Sequence, residues 1–237
     1  MSLLFQLDHT KKKPSAEIIQ SISSLIIKGK PYAAFDLDNT LLIGDIGDAV
    51  FALLVKKKLI THFGWKDYQA LINENKEKAY KHIIDVMEGL TLSQLEETTL
   101  EVLNSKKGFM VEGYKILIPK PDTQMKLIVE MLKKRKIDVY VVTASNEISA
   151  RIICKKYFSI SEMNVLGAEV AHDYKGIIKV SRKELSYGQG KVNILKNKFR
   201  NKPLVTGGDS PGDIFMLGYT QKNGIRFWLG SNDIGRK

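Results

Sequence analysis

The chain has 237 residues, 43% hydrophobic and 27% charged. That is enough for one full-sized domain, or one domain carrying a smaller insert, and the makeup is ordinary for a globular protein. Cys154 is the only cysteine, which excludes an intrachain disulfide and a cysteine metal site. No segment approaches about eighteen consecutive apolar residues, so no membrane span is expected.

The formal net charge is +11, but only six of the 37 basic residues are Arg. Nucleic-acid readers favour Arg forks with interleaved aromatics. Here lysines are spread along the chain, with short runs at 11–13, 56–58 and 133–134. This reads as a solvated basic surface that attracts anionic substrates, without a specific nucleic-acid partner. Met1-Ser2-Leu3-Leu4-Phe5 is too short an apolar run for a signal peptide. A cytoplasmic protein is expected, or a periplasmic or secreted one if a leader has been removed. Nothing in the sequence sets an oligomeric state.

Pro14 and Ser15 open an amphipathic helix over 14–28, with Ile18, Ile19, Ile22, Leu25 and Ile26 at helical spacing. Tyr32-Ala33-Ala34-Phe35 is a short buried strand, followed at once by Asp36-Leu37-Asp38-Asn39-Thr40. Ile46, Ala49, Val50, Leu53 and Leu54 then form a helical stripe. From there to about Gly113 the spacing predicts helices and no strand, with a capping-box pattern at Thr91-Leu92-Ser93-Gln94. This stretch is too long for a crossover and long enough for a small lid.

Alternation then resumes: helix 121–136, strand 137–142, helix 146–157, a short strand 165–167 and a hairpin over 168–180. A helix over 190–199 follows, then strands 203–206 and 225–229. Strands separated by helices of this length predict an α/β fold with a doubly wound parallel sheet.

In such a sheet, sites form at the carboxyl ends of the strands. Asp36 and Asp38 close the first strand, where two like charges call for a hard cation between them. Thr143-Ala144-Ser145 closes another, offering a hydroxyl and backbone N–H groups at a helix N-terminus. Lys191 lies in the first turn of a helix. Gly207-Gly208-Asp209-Ser210-Pro211-Gly212-Asp213 follows the strand at 203–206. Singly, each has a structural reading as cap, turn or surface residue.

Jointly, in this order, they resemble the four motifs of the haloacid dehalogenase superfamily over residues 32 to about 217. The resemblance implies a Rossmann-like core with Asp36 as nucleophile, forming an aspartyl-phosphate, and Asp38 as general acid and base. It implies Thr143 and the backbone at Ala144 as phosphoryl holders, with Lys191 offsetting the gathered charge. Mg2+ would sit on Asp36, the carbonyl of Asp38 and Asp209, with Asp213 a ligand or its support.

The resemblance also implies that residues 44–118 are a helical lid, and 1–43 with 119–237 the core. Within the superfamily the chain looks most like the phosphoserine and phosphorylcholine phosphatase branch, where an acid nine positions after the nucleophile faces the substrate. That position is Asp45, which equally suits a helix N-cap, with Asp48 as the first-turn acid. No Arg precedes Arg135, and Gly212 stands where phosphoserine phosphatases usually carry Asn; both features argue against phosphoserine. Trp65, Tyr68 and Tyr80 are candidates to stack on a cationic head group or to form lid core.

The expected activity is a Mg2+-dependent phosphomonoesterase acting on a small phosphorylated metabolite, with phosphocholine or phosphoethanolamine foremost. The alternatives are a phosphoserine phosphatase or phosphomutase, and a catalytically silent basic binding protein.

Overall fold

A computed structural model describes residues 2–180 and 183–230; the outer ends of the expected core, residue 1 and 231–237, lie outside the described residues. The chain opens with β1 (Leu3–Gln6), α1 (Ala16–Ser23) and β2 (Tyr32–Phe35). Helix α1 is shorter than its apolar spacing predicts. Arg135 ends it, donating through its guanidinium to the carbonyls of Ile22 and Leu25, both at 2.7 Å, and to that of Ser23. Ile18, Ile22 and Leu25 are buried, whereas Ile19 and Ile26 face solvent.

After β2 the chain makes a wide turn, with Asn39 in the left-handed region at φ +53°. The Asn39 N–H donates to the Gly44 carbonyl at 3.1 Å, closing the loop onto β3 (Leu42–Ile43). Four helices follow: α2 (Ile46–Lys56), α3 (Trp65–Glu74), α4 (Lys76–Asp85) and α5 (Leu92–Asn104). The helical stretch then holds a feature its sequence reading lacked, an antiparallel hairpin of β4 (Phe109–Val111) and β5 (Tyr114–Ile116). Its turn residues Glu112 and Gly113 both have positive φ, +48° and +89°. Strand β6 (Lys120–Pro121) pairs antiparallel with β3, so the chain leaves and rejoins the sheet region side by side.

The remainder runs α6 (Thr123–Lys134), β7 (Asp138–Asn146), α7 (Glu147–Phe158), β8 (Val165–Ala168), α8 (Gln189–Lys198), β9 (Val205–Gly208), α9 (Ile214–Gly218) and β10 (Ile225–Trp228). The hairpin expected over 168–180 is small: His172 and Ile178 form an antiparallel bridge about the turn at 173–176, with the Asp173 N–H donating to the Ile177 carbonyl at 3.0 Å and the Lys179 N–H to that of Ala171 at 2.8 Å. Six strands form one parallel sheet in the order β1-β10-β9-β2-β7-β8. Strand β2 is buried at all four residues, as a central strand covered on both faces requires. The chain proceeds from β2 to β7 and β8 on one side, then crosses to β9 and β10 on the other. Its topological switch therefore falls at the carboxyl end of β2, where ligand sites form in open α/β sheets.

A second connection braces this point. His9 lies between Asp122 Oδ2 (2.7 Å from Nδ1) and the Asn39 carbonyl (3.0 Å from Nε2). Both partners accept, so only the imidazolium, with two N–H donors, satisfies both. Asp122 is buried, caps α6 through Met125 N–H (2.8 Å), and donates its own N–H to the Leu41 carbonyl (2.9 Å). The hydrogen bond to Asp122 chiefly raises the His9 pKa above its ordinary 6.5, against burial. A raised folded value means that the brace is complete below pH 6.5 and is lost as pH rises through the folded pKa. The melting-temperature gap between wild type and His9→Ala should therefore be wide at pH 5.5 and narrow by pH 8.5; a constant gap would refute the charged brace.

Candidate active site

The sheet register sets the site. Phe35 is level with Gly207 on one side and Val141 on the other. The next residue, Asp36, donates its N–H to the Gly207 carbonyl at 2.9 Å. Gly208 must lack a side chain, since a Cβ there would stand 2.3 Å from that of Asp213. Helix α8 points its first turn at the same crevice and delivers Lys191, which is buried at 2% exposure.

The sequence-predicted residues meet here. Lys191 Nζ contacts Asp36 Oδ1 at 2.5 Å and Asp213 Oδ1 at 2.6 Å. Asp213 Oδ2 accepts from the N–H groups of Asp209 (3.2 Å) and Ser210 (3.1 Å) and from the Ser210 hydroxyl (3.0 Å). Both its oxygens are thus engaged. Thr40 donates to Asp209 Oδ1 at 3.1 Å. Oxygens of Asp36, Asp209 and Asp213 lie within 4.8 Å of one another.

Asp38 turns away from the lysine. Its Oδ1 accepts the Ile46 N–H of α2 (2.8 Å), and its Oδ2 accepts the hydroxyls of Ser145 (2.7 Å) and Thr143 (3.1 Å). Thr143, expected to point at a phosphoryl group, here spends its hydroxyl on Asp38 and accepts from Ser145 N–H at 3.0 Å. Ala144 lines the cavity beside it.

The electrostatics are unbalanced. Burial pushes the Asp36 carboxyl well above its ordinary range, with Lys191 opposing. Burial raises Asp38 as well, against its three donors, and lifts Asp209 to about 6. Burial opposes the Lys191 ammonium too, yet the carboxylates of Asp213 and Asp36 outweigh it and hold the charge. Several carboxylates thus share one ammonium, and their crowded hard oxygens suit a divalent cation. The residues present fit such an ion through the donor set and its excess negative charge.

The helices above the sheet complete a cavity of about 100 Å³. Asp45 caps α2, its Oδ1 accepting Asp48 N–H at 2.8 Å, and it also lines the cavity. Its Oδ2 has no hydrogen-bond partner among the described residues. Asp45 thus fills the expected N-cap position while standing at the cavity. Burial and then the neighbouring Asp38 and Asp48 charges drive its carboxyl well upward, while burial brings Asp48 to about 6.

Of the three candidate aromatics, Trp65 and Tyr68 are buried among the helices and pack on Phe51, and Tyr68 donates to Asp48 Oδ1 at 2.5 Å. Tyr80 alone lines the cavity. Lys76 and Tyr187, which the sequence reading passed over, line it too. Lys76 opens a helix as one lysine among many, and Tyr187 sits in an irregular loop; neither carries a periodic signal.

A family model described as haloacid dehalogenase-like hydrolase matches residues 33–218. No curated protein matches the chain at a significant level. Among solved structures, one of unknown function from Anaerococcus prevotii DSM 20548 aligns with a TM-score of 0.64 at 17% identity, over 88% of this chain and 84% of its own. Another of unknown function, from Bordetella pertussis Tohama I, gives 0.61 at 17% identity, over 81% and 87%. A phosphoserine phosphatase with bound substrate gives 0.54 at 16% identity, over 86% and 89%. Identities this low speak for a common fold. No helix among the described residues is long and apolar enough to cross a membrane.

Proposed function

The chain belongs to the haloacid dehalogenase-like hydrolases, and from that premise we propose that it is a Mg2+-dependent phosphomonoesterase of small phosphorylated metabolites. One observation carries the reading: Asp36, at the end of the central strand, lies 2.5 Å from buried Lys191 with Asp209 and Asp213 beside it. This is the arrangement a phosphoryl group needs when carboxylates surround it.

In this reading the Asp36 oxygen not held by Lys191 attacks phosphorus as the bond to the leaving alcohol breaks. Asp38, whose carboxyl pKa burial raises against its three donors, protonates the leaving oxygen. Water then attacks the aspartyl-phosphate, giving its proton to Asp38, and the bond to Asp36 breaks to release phosphate. The Ala144 backbone holds a phosphoryl oxygen, Thr143 joins it once its hydroxyl leaves Asp38, and Lys191 offsets the phosphoryl charge. Asp36, Asp209 and the Asp38 carbonyl would hold Mg2+, which supplies charge neutralisation at the phosphoryl oxygens. Asp213, with both oxygens engaged, serves as the support that positions Lys191 and the 209–210 turn.

Residues 44–118 act as a lid over a core formed by 1–43 and 119–237. Asp45, which lines the cavity and whose Oδ2 has no hydrogen-bond partner among the described residues, favours an amine-bearing substrate such as phosphocholine or phosphoethanolamine. Phosphoserine is the second reading, because Lys76 at the cavity offers a cation for a carboxylate where the lid has no Arg. A screen of phosphorylated metabolites separates these. Absence of turnover of any of them, and of an aryl phosphate, would leave a silent binding protein.

Asp45→Asn isolates the amine contact, since Asn caps a helix about as well as Asp. Loss of the charge should lower kcat/KM for amine-bearing phosphates by about 1.5–3 kcal/mol, the value of a charged hydrogen bond. Turnover of a neutral aryl phosphate should fall far less. Equal losses on both, or none, would return Asp45 to a purely structural role.

A further inference from the structure

One ring in the cavity belongs to no motif. Tyr187, in the loop before α8, stands 5.7 Å from Tyr80 of α4, the two rings meeting at 58°. Both line the cavity that holds Asp45 and Asp48. The core contributes one ring and the lid the other.

The ring fits there because residue 212 has no side chain. A Cβ on Gly212 would stand 2.6 Å from Tyr187 Cε2 and 3.0 Å from both Cδ2 and Cζ. Gly212 is not among the positive-φ residues, so its backbone makes no demand for glycine. Space is the reason. The Gly188 N–H donates to the Gly212 carbonyl at 3.0 Å, tying the loop to this turn. The departure from phosphoserine-phosphatase pattern at Gly212 is therefore the room that Tyr187 occupies.

Two tilted rings make a corner, and the Asp45 and Asp48 carboxyls of α2 stand at the same cavity, where a bound cation would favour their ionised forms. A primary ammonium seeks three acceptors, whereas a quaternary ammonium has no N–H and is held by ring faces and a nearby charge. Asp45 Oδ1 takes the Asp48 N–H and Asp48 Oδ1 takes the Tyr68 hydroxyl, so among the described residues these two carboxyls leave one oxygen each, fewer than the three acceptors a primary ammonium seeks. We propose that Tyr187 and Tyr80 form an aromatic corner that selects a quaternary ammonium group on the substrate over a primary one. The proposal rests on the phosphatase reading and narrows its substrate class.

The test compares kcat/KM for phosphocholine and phosphoethanolamine. Wild type should favour phosphocholine by about tenfold or more, within the range of enclosed cation–π contacts. Tyr187→Leu should bring the ratio near one, Tyr187→Phe should keep it, and Gly212→Asn, which displaces the ring from the other side, should mimic Tyr187→Leu. A preference for phosphoethanolamine, or a ratio unchanged in Tyr187→Leu, overturns the corner. If p-nitrophenyl phosphate is hydrolysed and neither ammonium ester is, the corner falls while the phosphatase reading stands. If no ester is hydrolysed, that reading falls, and calorimetry with choline decides the corner alone. Choline binding that weakens about tenfold in Tyr187→Leu supports it, and no binding refutes it.

Discussion

Asp36→Asn should abolish turnover, by roughly several orders of magnitude if catalysis is covalent, while the protein stays folded. The amide keeps the shape of the carboxyl but cannot attack phosphorus. Stability should survive for a specific reason. Burial already disfavours the ionised form of Asp36, so a neutral isostere removes a strained charge instead of a stabilising one. Lys191 retains Asp213 at 2.6 Å and is not orphaned. Steady-state rates on an aryl phosphate, with thermal melts on the same samples, check both halves. Activity within about tenfold of wild type would end the assignment of Asp36 as nucleophile.

Removal of divalent cations should also stop turnover, Mg2+ should restore it, and Ca2+, with its looser and larger shell, should support it poorly. A matching signature belongs in the stability. The Asp209 carboxyl is raised from 3.8 to about 6, so its neutral form contributes stability below pH 3.8 that is lost as pH rises through about 6. Burial pushes Asp36 in the same direction. The metal-free protein should accordingly weaken between pH 4 and 7, and Mg2+ should recover the loss by pairing with the ionised groups. The Mg2+-induced rise in melting temperature should be larger at pH 7.5 than at pH 5. Full activity in excess chelator, or equal rises at both pH values, would contradict the site as drawn.

The parts of this architecture that were legible in the sequence are those where one local signal suffices. Strand β2 is four apolar residues, all buried, and the helices α2 and α5 announce themselves by their stripe and their capping box. Three of the polar clusters stood out because each follows an apolar run, whereas Lys191 opens a helix after a polar loop. Strand β1 did not, since Leu3 and Leu4 are 52% and 39% exposed and no apolar alternation marks it. Its extension comes from pairing with β10, reinforced by Gln6 donating to the Gly230 carbonyl 224 residues away. The β4–β5 turn uses Glu112-Gly113 in place of the Asn-Gly or Asp-Gly pair that signals a hairpin. Side-chain aim was beyond reach as well: nothing in the spacing tells that Thr143 donates to Asp38, or that His9 reaches Asp122.

One apolar cluster runs without a break from Phe35 and Val141 in the sheet to Phe51, Tyr68 and Leu95 in the helices above it. The buried hydrogen bond between Thr99 of α5 and Ser149 of α7, at 2.7 Å, lies along the same junction. Two modules with separate interiors can melt one after the other; a shared interior couples them into one cooperative transition. Heat or denaturant should therefore unfold the helical stretch and the sheet together. Damage deep in the helices, at Phe51 for instance, would then silence Asp36 by depleting the folded population, with no change in substrate preference among the molecules that remain folded.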